Sequence, residues 1–154
     1  MAYFLENQHH VTLFCYKRDP SFEVPEGVHV HQVSIGFAPK HLRRYAFDKR
    51  LQKVFRKEDF DFSLSMERTS HQHASIAPGD HLGFLKAMGI NGWRSKHRVQ
   101  VKMDRHCFEG SEVIFPCSDM IARNLTDLYH VPTEKLLPLY PPLNAKKFNR
   151  HFPF

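Results

Sequence analysis

No stretch of this 154-residue chain approaches the roughly 20 consecutive apolar residues that a membrane-spanning helix needs. The N-terminus, MAYFLENQHH, has no basic head and no long apolar segment, so it does not read as a secretory signal. Both absences predict a soluble, cytoplasmic protein. Cysteine is scarce: Cys15, Cys107 and Cys117 are an odd number without CxxC spacing. That excludes a disulfide framework and predicts reduced, mostly buried thiols. There is no internal repeat and no low-complexity linker, so residues 1–154 read as one domain, long enough to bury a core. No aromatic-rich RNA-binding strand, zinc finger or helix-turn-helix pattern is visible. The excess of 22 Lys and Arg over 16 Asp and Glu, a net charge of +6, therefore indicates only tolerance of anionic surroundings. Nucleic acid, phosphorylated ligands and an acidic membrane face all qualify, and the 12 histidines can add positive charge below about pH 6.5.

What is present is a run of short strands and helices. Ala2 to Gln8 reads as the end of a helix that Asn7 can cap. Val11 to Cys15 is β-rich, and Val28 to Val33 alternates as a half-buried strand does. Lys40 to Glu58 reads as one helix, with Phe47, Leu51, Val54 and Phe55 on a single apolar stripe. Phe60, Phe62, Leu64 and Met66 alternate as a strand. Thr69 to Gly79 is polar, rich in histidine and closed by Pro-Gly, so it reads as a loop. His81 to Met88 and Trp93 to Phe108 read as helices, and Glu112 to Phe115 as a buried strand. Ser118 can cap a helix whose buried stripe is Ile121, Leu125, Leu128 and Tyr129. Leu136 to Tyr140 is a last strand, and Pro141-Pro142 stop it. Alternating strands and helices predict an α/β domain with a largely parallel sheet.

Two features have more than one reading. The basic helix Lys40–Lys57 is a solvated face over an apolar stripe, or a surface for docking on anionic lipid, where each basic residue contributes about 1 kcal/mol. His71 and His73, like His29 and His31, place two imidazoles on one side of an extended segment. Neither pair has a Cys, Asp or Glu cluster at ligand spacing, so no metal is assigned.

The last forty residues carry a longer pattern: strand, Ser, helix, Tyr-x-Val-Pro-x-x-Lys, strand, then Pro141-Pro142-Leu143-Asn144 and Phe148. This resembles the end of the N-terminal domain in glycosyltransferase family 4, with Leu143 and Asn144 in place of Val and Asp. Met66-Glu67-Arg68-Thr69, Gln72, Ala77-Pro78-Gly79-Asp80-His81-Leu82 and Phe84-Leu85 are similar to the acceptor-side loop of lipopolysaccharide-core members. Arg105-His106-Cys107-Phe108 resembles the end of a helix in those enzymes, and Gln8-His9-His10-Val11 stands where a Gly-His-Glu-Val turn is usual.

The resemblance implies a Rossmann-like fold, half of a two-domain GT-B architecture, with retaining sugar transfer from a nucleotide-sugar to a lipopolysaccharide-core or other lipid-linked glycan. It implies Asp80 and His81 as catalytic residues facing the cleft, although Asp80 also reads simply as an N-cap. It further implies Glu67, Arg68, Thr69, His71, Gln72 and Lys86 as substrate-binding residues, and no cofactor. No pair of glutamates seven residues apart, the mark of the donor-binding half, is present. The expectation is an incomplete N-terminal domain, inactive unless a partner supplies the donor half, and peripheral at the inner face of the membrane. The family's first strand is also missing. It lies at the centre of such a sheet, where ligands bind. The Val11 and Val28 strands should therefore lack a link to the Phe60, Val113 and Leu136 strands, leaving edges that a homo-oligomer or another chain completes. A degenerate, non-catalytic product and a basic nucleic-acid-binding module remain the alternative readings.

Overall fold

A computed structural model describes residues 2–91 and 94–142. Trp93, and Leu143, Asn144, Phe148 and the tail from Asn149 to Phe154, lie outside the described residues. After a short helix α1 (Ala2–Glu6), the two β-rich segments form β1 (Val11–Cys15) and β2 (Val28–Gln32). They pair in parallel from Val11↔Val28 to Cys15↔Gln32. Helix α2 (Arg43–Leu51) covers this pair, and Val33, Phe47 and Leu51 form a small core with Phe14, Tyr16, Ile35 and Phe55 packed against it.

The expected helix Lys40–Glu58 is shorter than its apolar stripe suggests. Lys40–Leu42 is a 3-10 turn, α2 stops at Leu51, and Lys57–Asp59 is a separate 3-10 turn. Aromatic packing explains the stop. Phe55 and Phe60 stack at 5.4 Å between ring centroids, and both meet Phe14 edge-on. A straight helix through Phe60 would carry the two rings apart.

The second sheet is built from β3 (Leu64–Ser65), β4 (Ala74–Ala77) and β5 (Val113–Pro116), all parallel, in the order β3-β4-β5. Beyond β5, Leu136 forms a parallel bridge with Ile114, and Leu137 and Leu139 donate to the carbonyls of Ile114 and Pro116. The expected last strand thus runs along this edge. Two expectations need correction. The Phe60–Met66 strand contracts to two residues, because Phe60 turns into the aromatic cluster and Ser63 bonds the ring of His73. The Thr69–Gly79 segment is not wholly loop, since it contains the central strand β4, whose Ala74, Ser75 and Ala77 have no exposed surface.

Helices α3 (His81–Ala87), α4 (Ser95–Gly110) and α5 (Asp119–Tyr129) complete this half. Ser118 caps α5 as its sequence suggests, accepting from the Ile121 N–H at 3.3 Å. Ala77, Cys107, Phe108, Ile114, Ile121, Leu125 and Val131 form the larger core.

Among the described residues the strands fall into two sheets rather than one, divided where the sequence predicts a break between the Val28 and Phe60 regions. The halves are tied by polar contacts. The Asp48 carboxylate on α2 accepts from the N–H and hydroxyl of Ser70 at 2.8 and 2.9 Å. The Gln52 amide donates to Asp48 and Ser70, each at 2.9 Å. Arg44 pairs with Glu67 at 3.1 Å, and Lys57 pairs with Glu112.

Candidate functional site

In a parallel sheet all strands end on the same side, and ligands of such folds bind outside those carboxyl ends. Three segments leave that edge of the second sheet. They are Met66–Thr69 after β3, Pro78–His81 between β4 and α3, and Cys117–Ser118 between β5 and α5. Most of the implied site residues lie on the first two.

One carboxylate organises them. Asp104, in the third turn of α4, is 2% exposed. Its Oδ1 accepts from Arg68 Nε at 2.5 Å, and its Oδ2 accepts from the His81 backbone N–H and the Tyr129 hydroxyl, each at 2.7 Å. Arg68 also donates to the Gly79 carbonyl at 2.5 Å and lies over the Phe108 ring. Tyr129 in turn accepts from the Leu82 N–H at 2.9 Å. Three segments thus converge on one buried acid, which satisfies the rule that buried charges be paired and hydrogen-bonded. Burial opposes the charge on Arg68, but Asp104 beside it wins, raising the guanidinium above its ordinary value. Burial, then Asp104, pushes the Tyr129 phenol far up, so it remains a donor.

This frame presents His81. Its half-buried ring stacks on Phe84 at 5.7 Å and on His97 at 5.1 Å between centroids. His81 Nε2 lies 2.9 Å from His97 Nδ1. That contact requires one of the two nitrogens to be unprotonated, so the pair does not carry two full charges without separating. Burial pushes the His81 pKa below the ordinary imidazole value, and His97 and Arg68 act in the same direction against Asp104 and Asp80. A neutral imidazole at neutral pH can accept or relay a proton.

The other implied residues divide. Asp80 is an N-cap and a strut: one carboxylate oxygen accepts from the Gly83 N–H at 2.5 Å, the other from the Asn124 amide at 2.8 Å. Arg68 is committed to Asp104 and Gly79. Thr69 and Gln72 are buried, at 5% and 3% exposure, and bond each other; Gln72 reaches on to Ser111 at 2.9 Å. Gln72 and His71 precede β4, so they lie toward the amino end of the strand whose carboxyl end leads to His81. His71 is exposed with φ +72°, and Gly110 packs against its backbone. Lys86 is exposed on α3, and Glu67 is exposed in its pair with Arg44. Among the thiols, Cys107 is buried, and burial raises its pKa.

Sequence reasoning missed Asp104, His97, Tyr129 and Asn124. A signal was present for two of them. His97, Asp104, Cys107 and Phe108 fall on one helical face, and an acid on a buried stripe demands a cation.

A groove of about 450 Å³ lies between α3 and α4. Leu82, Leu85 and Val101 give it an apolar lining, Arg98, Lys102 and Arg105 give it positive charge, and His106 and the acid Glu109 complete it.

Comparison with known proteins gives a consistent picture. The family model described as Glycosyltransferase Family 4 matches residues 1–147. A protein of Burkholderia thailandensis described as a probable transglycosylase is 26% identical over 136 residues, which is 88% of this chain and 37% of that protein. The crystal structure of WaaG, a glycosyltransferase involved in lipopolysaccharide biosynthesis, superposes with a TM-score of 0.80 at 14% identity. That match covers 99% of this chain and 42% of WaaG, and it shows the same GT-B-type α/β fold with parallel sheets. The chain thus spans about two fifths of the length of these relatives.

Proposed function

The chain belongs to glycosyltransferase family 4, and from that premise we propose that it forms the acceptor-binding half of a retaining glycosyltransferase. The acceptor class is a lipopolysaccharide-core or other lipid-linked glycan, and the sugar comes from a nucleotide-sugar held by a facing donor half. The observation that carries this reading is His81, held half-exposed at the carboxyl edge of a parallel sheet by Asp104, with its neighbour Leu82 lining a groove that carries three basic side chains and one acid, Glu109. A lipid-linked glycan bearing phosphate matches both aspects of that groove, since its charge meets Arg98, Lys102 and Arg105 while its apolar part meets Leu82, Leu85 and Val101.

In this reading His81 contacts the acceptor and takes or relays the proton of its attacking hydroxyl. Asp80 fixes the start of α3 through Gly83 and Asn124, and so positions His81 rather than touching sugar. Glu67, His71 and Lys86 are the exposed members of the implied binding set. Arg68, Thr69 and Gln72 act through the loop they hold together. Arg43, Arg44, Lys49 and Arg50 on the exposed side of α2 face an anionic membrane, which brings the chain to a membrane-embedded acceptor. Liposome binding that ignores anionic lipid content would remove that last element.

The central test is acceptor binding. Rough lipopolysaccharide in detergent should bind the chain and should bind His81→Ala about tenfold more weakly, the size of one lost polar contact. Unchanged affinity in a folded His81→Ala variant would overturn the site.

A further inference from the structure

Phe37, in the connection between β2 and α2, stands fully in solvent at 108% exposure. A phenyl ring left out of the core forfeits about 1.5–3 kcal/mol of burial. The segment around it is shaped rather than slack. Gly36 holds φ +59°, a conformation open to glycine, and its N–H donates to Ser34 Oγ at 3.4 Å. Arg43 Nε donates to the Ala38 carbonyl at 3.4 Å and fixes the far side to the start of α2. Ile35 and Tyr16 pack into the β1–β2–α2 core beneath it, Tyr16 against Phe47 at 5.5 Å.

These residues line a crevice of about 640 Å³ at the carboxyl ends of β1 and β2, formed by Tyr16, Gln32, Ser34, Ile35, Gly36 and Phe37. Its size is that of a small-molecule site. The Gln32 amide and the Tyr16 hydroxyl make no hydrogen bond among the described residues, and Ser34 keeps its own proton to donate. The lining side chains are uncharged, and the Arg50 guanidinium lies next to Gly36, 3.7 Å from where a Cβ would stand.

We propose that this crevice is a second carbohydrate subsite. Phe37 stacks against the C–H face of a pyranose ring, while Gln32, Tyr16 and Ser34 bond its hydroxyls. A sugar hydroxyl both donates and accepts, as an amide and two hydroxyls do. A lipid chain in the same place would bury those three polar groups without partners. The inference rests on the acceptor reading above and deepens it. The glycan is held at two points, its reactive end at His81 on the second sheet and a more distant residue at Phe37 on the first.

The test is ligand-observed saturation-transfer NMR with deacylated lipopolysaccharide core oligosaccharide. The chain is compared with Phe37→Ala, Gln32→Ala and His81→Ala, with anionic phosphatidylglycerol vesicles as a second arm. Phe37 contributes nothing to the core, so its variant should fold. We expect Phe37→Ala to weaken oligosaccharide binding about tenfold, with Gln32→Ala in the same direction. Parent-like oligosaccharide binding by both variants, with His81→Ala weakened, overturns the second subsite and leaves the acceptor reading intact. Weakening by Phe37→Ala but not by His81→Ala supports the subsite and removes the His81 site. Loss of vesicle binding in Phe37→Ala with full oligosaccharide affinity makes Phe37 a membrane anchor and overturns the proposal. No oligosaccharide binding by the parent chain overturns both.

Discussion

Asp104 is one residue on which three segments depend, and removing it leaves three kinds of unpaired group. In Asp104→Ala the Arg68 guanidinium, 14% exposed, keeps a buried charge without a counter-ion, while Tyr129 and the His81 N–H lose their acceptor. Breaking a buried pair from one side costs about 3–5 kcal/mol, a large share of the roughly 5–15 kcal/mol of a typical domain. Asp104→Ala should therefore lower the melting temperature by on the order of 10 °C. The double variant Arg68→Met/Asp104→Leu should recover part of that loss, because it removes the stranded charge as well. A single variant that melts with the parent would show that the pair does not organise the edge. His81 yields a prediction in pH. Its folded pKa lies below the ordinary imidazole value because burial disfavours its charged form. Between the two values the unfolded chain binds more protons, so this contribution is fully present above about pH 6.5 and is lost as pH falls through the folded value. Melts at pH 7.5 and 5.5 should show that decline in the parent and less of it in His81→Gln; equal declines would assign it elsewhere. The family resemblance singled out residues 67–72 and 80–81, but which of them bond one another inside the protein was not legible. Whether Arg68 binds a ligand or an internal acid depends on where Asp104 arrives, 36 residues along the chain.

Among the elements, α3 shows how a helix start is made dependent on its neighbour. A Cβ on Gly83 would overlap the Asn124 amide and come within 2.6 Å of Asp80 Oδ2. Alanine favours a helix over glycine by about 1 kcal/mol. Against that, Asn124 must swing away from Asp80, which loses a hydrogen bond to a charged group worth about 1.5–3 kcal/mol. The net expectation for Gly83→Ala is a loss of about 0.5–2 kcal/mol, read by urea denaturation. In an Asn124→Ala background the same substitution should cost far less; an equal cost in both backgrounds would remove the steric explanation. Helices and strands with strong patterns were readable: β1, β2, α5 and its Ser118 cap follow from period and capping alone. β4 was not readable. Ala74-Ser75-Ile76-Ala77 shows no alternation because a strand buried on both faces has no polar face to show, and it has only one β-branched residue to mark it as a strand. The end of α2 was hidden for the opposite reason. Val54 and Phe55 continue a helical stripe in sequence, yet Phe55 is drawn aside by Phe14 and Phe60.

At the scale of the whole molecule, the two sheets are unequal partners. The half containing β4, β5 and α5 has a core in which Phe108, Ile114 and Leu125 are no more than 1% exposed. The half containing β1, β2 and α2 rests on Val33, Phe47 and Leu51, which keep 5–8%. A smaller, less enclosed core opens at lower free energy, so backbone amides of β1 and β2 should exchange with deuterium before those of β4 and β5. The two halves communicate through Asp48, which is 5% exposed and holds Ser70 by two bonds. Asp48→Ala leaves the Ser70 N–H and the Gln52 amide short of an acceptor, at a cost of about 1–3 kcal/mol. If that carboxylate is the tie, the substitution should speed exchange across β1, β2 and α2 severalfold while β4 and β5 remain near their parent rates. Uniform acceleration across both sheets would mean that the molecule opens as a single unit. The proposed glycan path would then gain no independent motion from its division between Phe37 and His81.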